Sequence, residues 1–273
     1  IGYRLVGSEM CIRDRVKVYD IPEGGRAAKG RAIVNLIGCE PDEKVSAFIS
    51  VKEFNEDHYV VMATEKGMVK KTKLSAYSNP RKKGIYAVEI RDGDKLIEAR
   101  VSTGDNDILL GTRNGKSIRF SEEQIRASGR KTMGVKGITL SSEDDRLVGM
   151  LLIKREGTVL VATEKGFGKR TEISQYRAQK RGGKGVLTMK TTDKVGKMVT
   201  IKEVVDKDDL MIITNQGVLI RLPVAQIRSI GRATQGVKLI KLGEGTLVSS
   251  ITRIMSEEEE DENNNTESTE PKE

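Results

Sequence analysis

The sequence predicts an all-β fold built from repeated four-stranded units, and three observations carry that prediction. The first is a repeat. Four segments, VVMATEKG, DILLGTRNG, TVLVATEKG and LMIITNQG, end an apolar run in Thr, two residues and Gly. Their glycines, Gly67, Gly115, Gly166 and Gly217, are spaced by 48, 51 and 51 residues. A period of this size marks an array of supersecondary units, each burying its apolar faces against its neighbours. The second is a second glycine in each unit, Gly84, Gly134, Gly185 and Gly236, reached through the basic loops RKKG, RKTMG, RGGKG and RATQG, after which strand patterning resumes. The segment RAAKG, ending at Gly30, is a fifth copy of that loop. The third is the want of any amphipathic helix of ten to fifteen residues between strands, which disfavours a parallel α/β fold. Only SEEQIRAS and PVAQIRS are compatible with short helical turns.

Taken in order, each unit starts with a nearly continuous apolar strand, as expected of a strand covered on both faces. Thr-x-x-Gly is then a hairpin turn, with Gly supplying the left-handed backbone that lets twisted strands pair. Beyond it the pattern alternates, as in MVKKTKL and VLIRLPV, which places bases on an outer face; a base stands four residues after each turn glycine, at Lys71, Arg119, Arg170 and Arg221. Ten residues after it comes Tyr77, Ile125, Tyr176 or Ile227, read as packing positions. The basic loop follows, then a short strand, then a longer one such as DKLIEARVS or RLVGMLLI. Blades of four strands, stacked around an axis, are the expected architecture.

Charge is unevenly distributed. Residues 256–273 hold nine acids and one lysine; set against 48 bases and 40 acids in all, they leave residues 1–255 with 47 bases and 31 acids, a net +16. A basic body suggests a polyanionic partner, and an acidic tail, too polar to bury a core, suggests a disordered competitor for the same surface. Two cysteines, Cys11 and Cys39, and one histidine, His58, match no disulfide framework and no zinc spacing. The longest apolar run, Leu147–Ile153, is far shorter than a membrane span of about 20 residues. With no signal peptide visible, a cytoplasmic location without membrane contact is expected. The leader, residues 1–15, matches no part of the unit and resembles translated sequencing-adapter sequence, so three parts are expected: a non-native leader at 1–15, the repeat domain at 16–255 and the tail at 256–273.

The stretches VKVYDIPE, KGRAIVNL, GFGKRT (166–171), GRKTMGVKGI and GRATQGVKLI, with the loop QKRGGKG, resemble the C-terminal domain of the DNA gyrase A subunit, part of a type II DNA topoisomerase (an isomerase). The resemblance implies a propeller-like β-pinwheel, of which about five blades are visible here, with neighbouring blades exchanging strands and duplex DNA wrapped on a basic rim. Gln179, Lys180, Arg181, Gly182, Gly183, Lys184 and Gly185 fit the family's box, Q-[RK]-R-G-G-[RK]-G, fully. In the family that box characteristically belongs to the first blade, whereas here it lies in the fourth visible unit. The resemblance further implies a fragment that is itself non-catalytic, the cleavage tyrosine lying upstream. It also implies a parent that uses ATP and Mg2+ through a partner, the gyrase B subunit, and that contains a second gyrase A subunit.

The loop chemistry stands without the resemblance. Glycines let backbone approach phosphate closely, and arginine can bind a phosphate through two parallel hydrogen bonds. Arg26, Lys29 and Arg31, then Arg81, Lys82 and Lys83, then Arg130, Lys131 and Lys136, then Arg232 and Lys238, occupy the equivalent loops. A track of such loops binds duplex by neutralising backbone, with little base readout. No aromatic interleaving accompanies it, which argues against single-strand stacking. GTRNGKS at 111–117 is one residue short of a phosphate-binding loop and coincides with a hairpin turn, so it is set aside. The alternatives are the equivalent domain of topoisomerase IV and a non-catalytic propeller-like scaffold for protein partners. No metal site and no cofactor are expected in this chain.

Overall fold

The computed structural model describes residues 3–7, 11–17, 47–51, 53–79 and 85–254. The strands in its first part are β1 (Tyr3–Gly7), β2 (Cys11–Lys17), β3 (Ala47–Val51), β4 (Tyr59–Thr64), β5 (Met68–Lys73), β6 (Ile85–Tyr86), β7 (Leu96–Ser102), β8 (Asp107–Thr112), β9 (Lys116–Ser121) and β10 (Val135–Lys136). There follow β11 (Leu147–Ile153), β12 (Thr158–Thr163), β13 (Phe167–Glu172), β14 (Val186–Leu187), β15 (Met198–Val204), β16 (Asp209–Thr214), β17 (Leu219–Pro223), β18 (Val237–Lys238) and β19 (Val248–Ile254). The only helical segments among the described residues are 3-10 turns at Leu74–Tyr77, Glu122–Gln124, Ile173–Gln175 and Val224–Gln226. Two of these are the expected ones, and the repeat puts the others at the same place in their units.

Each repeat hairpin forms as its sequence requires. Gly67, Gly115, Gly166 and Gly217 have φ between 78° and 82°. Their amides donate to the carbonyls of Thr64, Thr112, Thr163 and Thr214 at 2.9–3.0 Å. The threonine has a reason of its own. Its hydroxyl accepts the amide four residues on: Met68, Lys116, Phe167 and Val218 donate at 3.1–3.3 Å. A side-chain acceptor here ties the entry of the second strand to the exit of the first.

Four sheets share one order: the unit's last strand, the two hairpin strands, and a two-residue strand. They are β3-β1-β2-β6, β7-β4-β5-β10, β11-β8-β9-β14 and β15-β12-β13-β18. The two-residue strand always comes from the following unit, so neighbouring units exchange strands. Val135 and Lys136 pair with Val69 and Met68; Val237 and Lys238 pair with Gly168 and Phe167. The fifth sheet, β17-β16-β19, has three strands, and among the described residues nothing pairs with the far side of β17. The leader, which the sequence placed outside the repeat, supplies β1 and the start of β2, paired from Tyr3↔Lys17 to Gly7↔Ile12.

The chain divides into two compact units, Ile1–Leu110 with Ile118–Ile153 and Ala178–Gly185, and Gly111–Ser117 with Lys154–Arg177 and Val186–Glu273. In the first, one core gathers Val60, Met62, Leu74, Tyr77 and Ile85, and a second gathers Val61, Val69, Ile108, Leu110 and Phe120. In the second unit, Leu160 and Ala162 pack with Leu210, Ile212 and Ile227. Strands β4, β8 and β12 are buried along all but their first residue, as continuous apolar runs should be. Tyr77 and Tyr176 are 0% and 1% exposed, confirming them as packing residues. Burial pushes the Tyr77 hydroxyl up to about 12.

One expectation holds only in part. Of the bases four residues after the turn glycine, Arg221 is exposed and Arg119 is partly exposed, but Lys71 and Arg170 do not line an outer face. Lys70, Lys71, Lys169 and Arg170 are all buried: Lys70 and Lys169 lie under the loop that leads to the donated strand, and Lys71 and Arg170, on the opposite face, meet other residues of the next unit. Lys71 pairs with Glu122 at 2.9 Å, and Arg170 donates to the Ile227 carbonyl at 2.7 Å and pairs with Asp206. These are structural cations, neutralised or hydrogen-bonded as burial demands.

Candidate nucleic-acid interface

The basic loops are built segments. In the loop 179–185, Arg181 is fixed three ways: its amide donates to Gln124 Oε1 at 2.9 Å, its Nε to the Gln124 carbonyl at 2.9 Å, and its guanidinium to the Lys136 carbonyl at 3.2 Å. The Gly182 amide donates to Gly137 O at 2.6 Å. Thr139 holds the next two carbonyls, its hydroxyl donating to Gly182 O at 2.7 Å and its amide to Gly183 O at 2.9 Å. Gly182 and Gly185 have φ of 80° and 70°, backbone that glycine adopts without strain. Lys180 and Lys184 are exposed beside this anchored frame.

The loop before β18 repeats the plan. The Arg232 amide faces Gln175 Oε1 at 3.4 Å, its guanidinium donates to Leu187 O at 2.9 Å, and its Cζ stands 6.0 Å from the Tyr176 ring centroid. Arg130 is the corresponding residue before β10, four positions ahead of the second glycine. Gln124 and Gln175 escaped the sequence reading. Their signal was available, because Gln recurs nine residues after the turn glycine at 124, 175 and 226.

Two lysines run beneath these loops. Lys70 donates to Ala87 O at 2.7 Å and to Arg130 O; Lys169 donates to Gly231 O at 2.6 Å, to Thr234 Oγ1 at 3.1 Å and to Arg232 O. Burial, with Arg130 or Arg232 nearby, lowers each ammonium to about 8.

Within the first unit the structure brings Lys136 and Arg181 into contact, with Arg130, Lys131, Gln179, Lys180 and Lys184 on the loops around them. Arg232 and Lys238 belong to the second unit. Arg26, Lys29, Arg31, Arg81, Lys82 and Lys83 lie outside the described residues, as does the acidic tail. Aromatic rings do accompany the bases, contrary to expectation: Lys131 stands 5.8 Å from the Tyr86 centroid and Lys238 5.6 Å from that of Phe167. The rings brace cations. GTRNGKS folds as the β8–β9 hairpin, so it does not have the strand-loop-helix form that cradles nucleotide phosphates. Among the described residues, no three His, Cys, Asp or Glu side chains cluster as metal ligands, and no helix is long and apolar enough to cross a membrane.

The DNA gyrase C-terminal domain, beta-propeller family model matches residues 15–52, 58–103, 106–154, 157–204 and 208–254, one match per sheet. The chain belongs to this family. Its fold is accordingly a propeller-like β-pinwheel of repeated blades. Curated relatives include the DNA gyrase A subunit of Staphylococcus epidermidis, 45% identical over 89% of this chain, and that of Staphylococcus aureus, 44% identical over 88%. The chain spans 28% and 27% of those proteins, about a quarter of their length. Among solved structures, the C-terminal domain of DNA topoisomerase IV superposes with a TM-score of 0.83 at 24% identity, covering 93% of this chain and 79% of that one. A DNA gyrase A C-terminal domain gives 0.80 at 22%, covering 93% and 83%. Both share the fold.

Proposed function

We propose that this chain binds duplex DNA through its basic loops, without base preference, and wraps it as the C-terminal part of a gyrase A subunit. The observation that carries this reading is the recurrent loop whose arginine is anchored by its guanidinium to carbonyls of the preceding unit, at Arg181 and Arg232, with exposed lysines beside it. Anchoring lowers the entropy lost when a cation is immobilised on a phosphate. The cations are spaced along strand-to-strand connections, as backbone neutralisation requires. The sequence identity to gyrase A subunits favours gyrase over topoisomerase IV. In the complete enzyme, wrapping presents a segment for strand passage. Cleavage belongs to an upstream domain and ATP with Mg2+ to the gyrase B subunit, which works with a second gyrase A subunit in the cytoplasm.

The test is a salt titration with random-sequence duplex. Log affinity falls linearly with log salt, by about 0.9 per phosphate neutralised, and is the same for unrelated sequences of equal length. Affinity that ignores salt between low and moderate ionic strength overturns the proposal.

A further inference from the structure

The units alternate in a way the DNA-binding reading does not use. Three residues after the turn glycine stand Lys70, Ile118, Lys169 and Ile220, and ten residues after it Tyr77, Ile125, Tyr176 and Ile227. Lysine goes with tyrosine, isoleucine with isoleucine. The loop that crosses this position varies with it. Two residues before its second glycine it has Thr132 over Lys70 and Thr234 over Lys169, but Gly183 over Ile118, whose Cδ1 a Cβ on Gly183 would meet at 3.4 Å.

Under the lysine-bearing loops, a buried ammonium collects carbonyl oxygens: Arg130 O in one case, Gly231 O and Arg232 O in the other. A trans peptide points its N–H opposite to its C=O. Drawing the Arg130 and Arg232 carbonyls inward therefore turns the Lys131 and Ala233 amides to the opposite side, where both residues are exposed. It also removes the negative ends of those peptide dipoles from the face a phosphate would approach. In the isoleucine-bearing unit the same task falls to Thr139, which holds Gly182 O and Gly183 O.

We propose that Lys70 and Lys169 are positioning residues for DNA binding: each holds its loop's carbonyls on the buried side and so presents the loop's amides and cations to a phosphate. This rests on the DNA-binding reading above. The charged groups facing Lys169 are those of Arg232, and those facing Lys70 are Arg130 and Glu89; Tyr77, which shares the Ala87 carbonyl with Lys70, stays neutral below about 12. An ammonium has three donors and a neutral amine two, so raising the pH through about 8 removes one donor from each cluster.

The experiment compares the unmodified chain with the Lys70→Met, Lys169→Met double variant. Duplex affinity is measured from pH 7 to 9.5 at fixed salt, with thermal midpoints and loop amide exchange in parallel. The variant is expected to bind about tenfold more weakly at pH 7, with its salt slope reduced by about 0.9 for each phosphate it no longer neutralises. The Glu89 and Lys190 amides, which donate to Thr132 O and Thr234 O of the two loops, exchange faster while its thermal midpoint holds. The unmodified chain loses affinity between pH 7 and 9 although it does not lose stability there, and the variant's affinity is flat. The unmodified chain's pH profile decides the matter if the variant fails to fold. Equal affinities and equal profiles overturn the role of the lysines while DNA binding stands. Affinity and thermal midpoint falling together make them merely structural. An unmodified chain that binds no duplex overturns both readings.

Discussion

The fourth and fifth sheets start from the same sequence plan and end differently. In the fourth, β13 is buried from its second to its fifth residue; in the fifth, β17 alternates between exposed and half-exposed throughout. Arg170 has 10% of its side chain exposed, and Arg221, at the same repeat position, has 66%. Even the preceding strand responds: β12 is buried after its first residue, whereas β16 is buried only at every second one. What separates them is one donated strand. Val237 and Lys238 complete the fourth sheet, and β17 has no such neighbour among the described residues. Burial of a base in this protein is therefore conferred by the next unit, not by the strand that carries it.

The sharpest way to break the comparison is at the donated strand. Gly236 has a φ of 74°, and a Cβ there would stand 2.6 Å from Gly168 O. Gly236→Val should uncover β13 and cost about 3 kcal/mol or more in urea unfolding, from left-handed strain and a backbone clash together. Gly217→Ala has open space around the added Cβ and should cost only the left-handed term, about 1–2 kcal/mol. Similar losses at the two sites would mean that the donated strand contributes little.

The paired arginines should rank next. Arg170→Ala removes a buried donor from the Ile227 carbonyl, an expected loss of about 2–3 kcal/mol by chemical denaturation. Arg221→Ala breaks an exposed pair with Asp209 and should cost under about 1 kcal/mol. Equal losses would contradict the burial argument.

Alkaline pH sharpens the comparison further. Lys169 lies in the covered sheet with its ammonium lowered to about 8, against an unfolded value near 10.5; the open sheet has Ile220 there. Between those values the unfolded chain holds more protons, so native stability should rise with pH, with Lys70 adding a similar share. Urea midpoints across this window should climb, and Lys169→Met should flatten part of the climb. The smallest effect is expected at Gln226, which is exposed in the open sheet. Gln226→Ala should stay within about 0.5 kcal/mol of the parent, whereas Gln124→Ala removes the side-chain acceptor of the Arg181 amide and should loosen the loop enough to weaken duplex binding measurably in a fluorescence titration.

Much of the fold was legible because it is local. Thr-x-x-Gly announces a hairpin wherever it falls, and the tyrosines at 77 and 176 share a slot with isoleucines, which reveals them as packing residues. The fate of the lysines was not legible. An alternating strand such as MVKKTK looks half-solvated on paper, and what covers it arrives from 60 or more residues away, as with Lys70 and Arg130 or Lys169 and Arg232. The loop residues were found as cations, but the reason Arg181 holds its place lies in Gln124, 57 positions earlier. A single unit, read alone, does not contain its own lid.

Strand exchange also has a consequence for synthesis. Each hairpin edge is finished only by residues that leave the ribosome later; β18 starts at residue 237, 65 positions after β13 ends at 172. At roughly 5–20 residues per second, a newly emerged edge waits about 3–13 s for its cover. Throughout that interval its ladder of unpaired amides and carbonyls is open to the wrong strand. A polar, lysine-bearing edge such as β5 or β13 is a poor template for such mispairing, so the lysines that end up buried in the finished protein guard it first while it is being made.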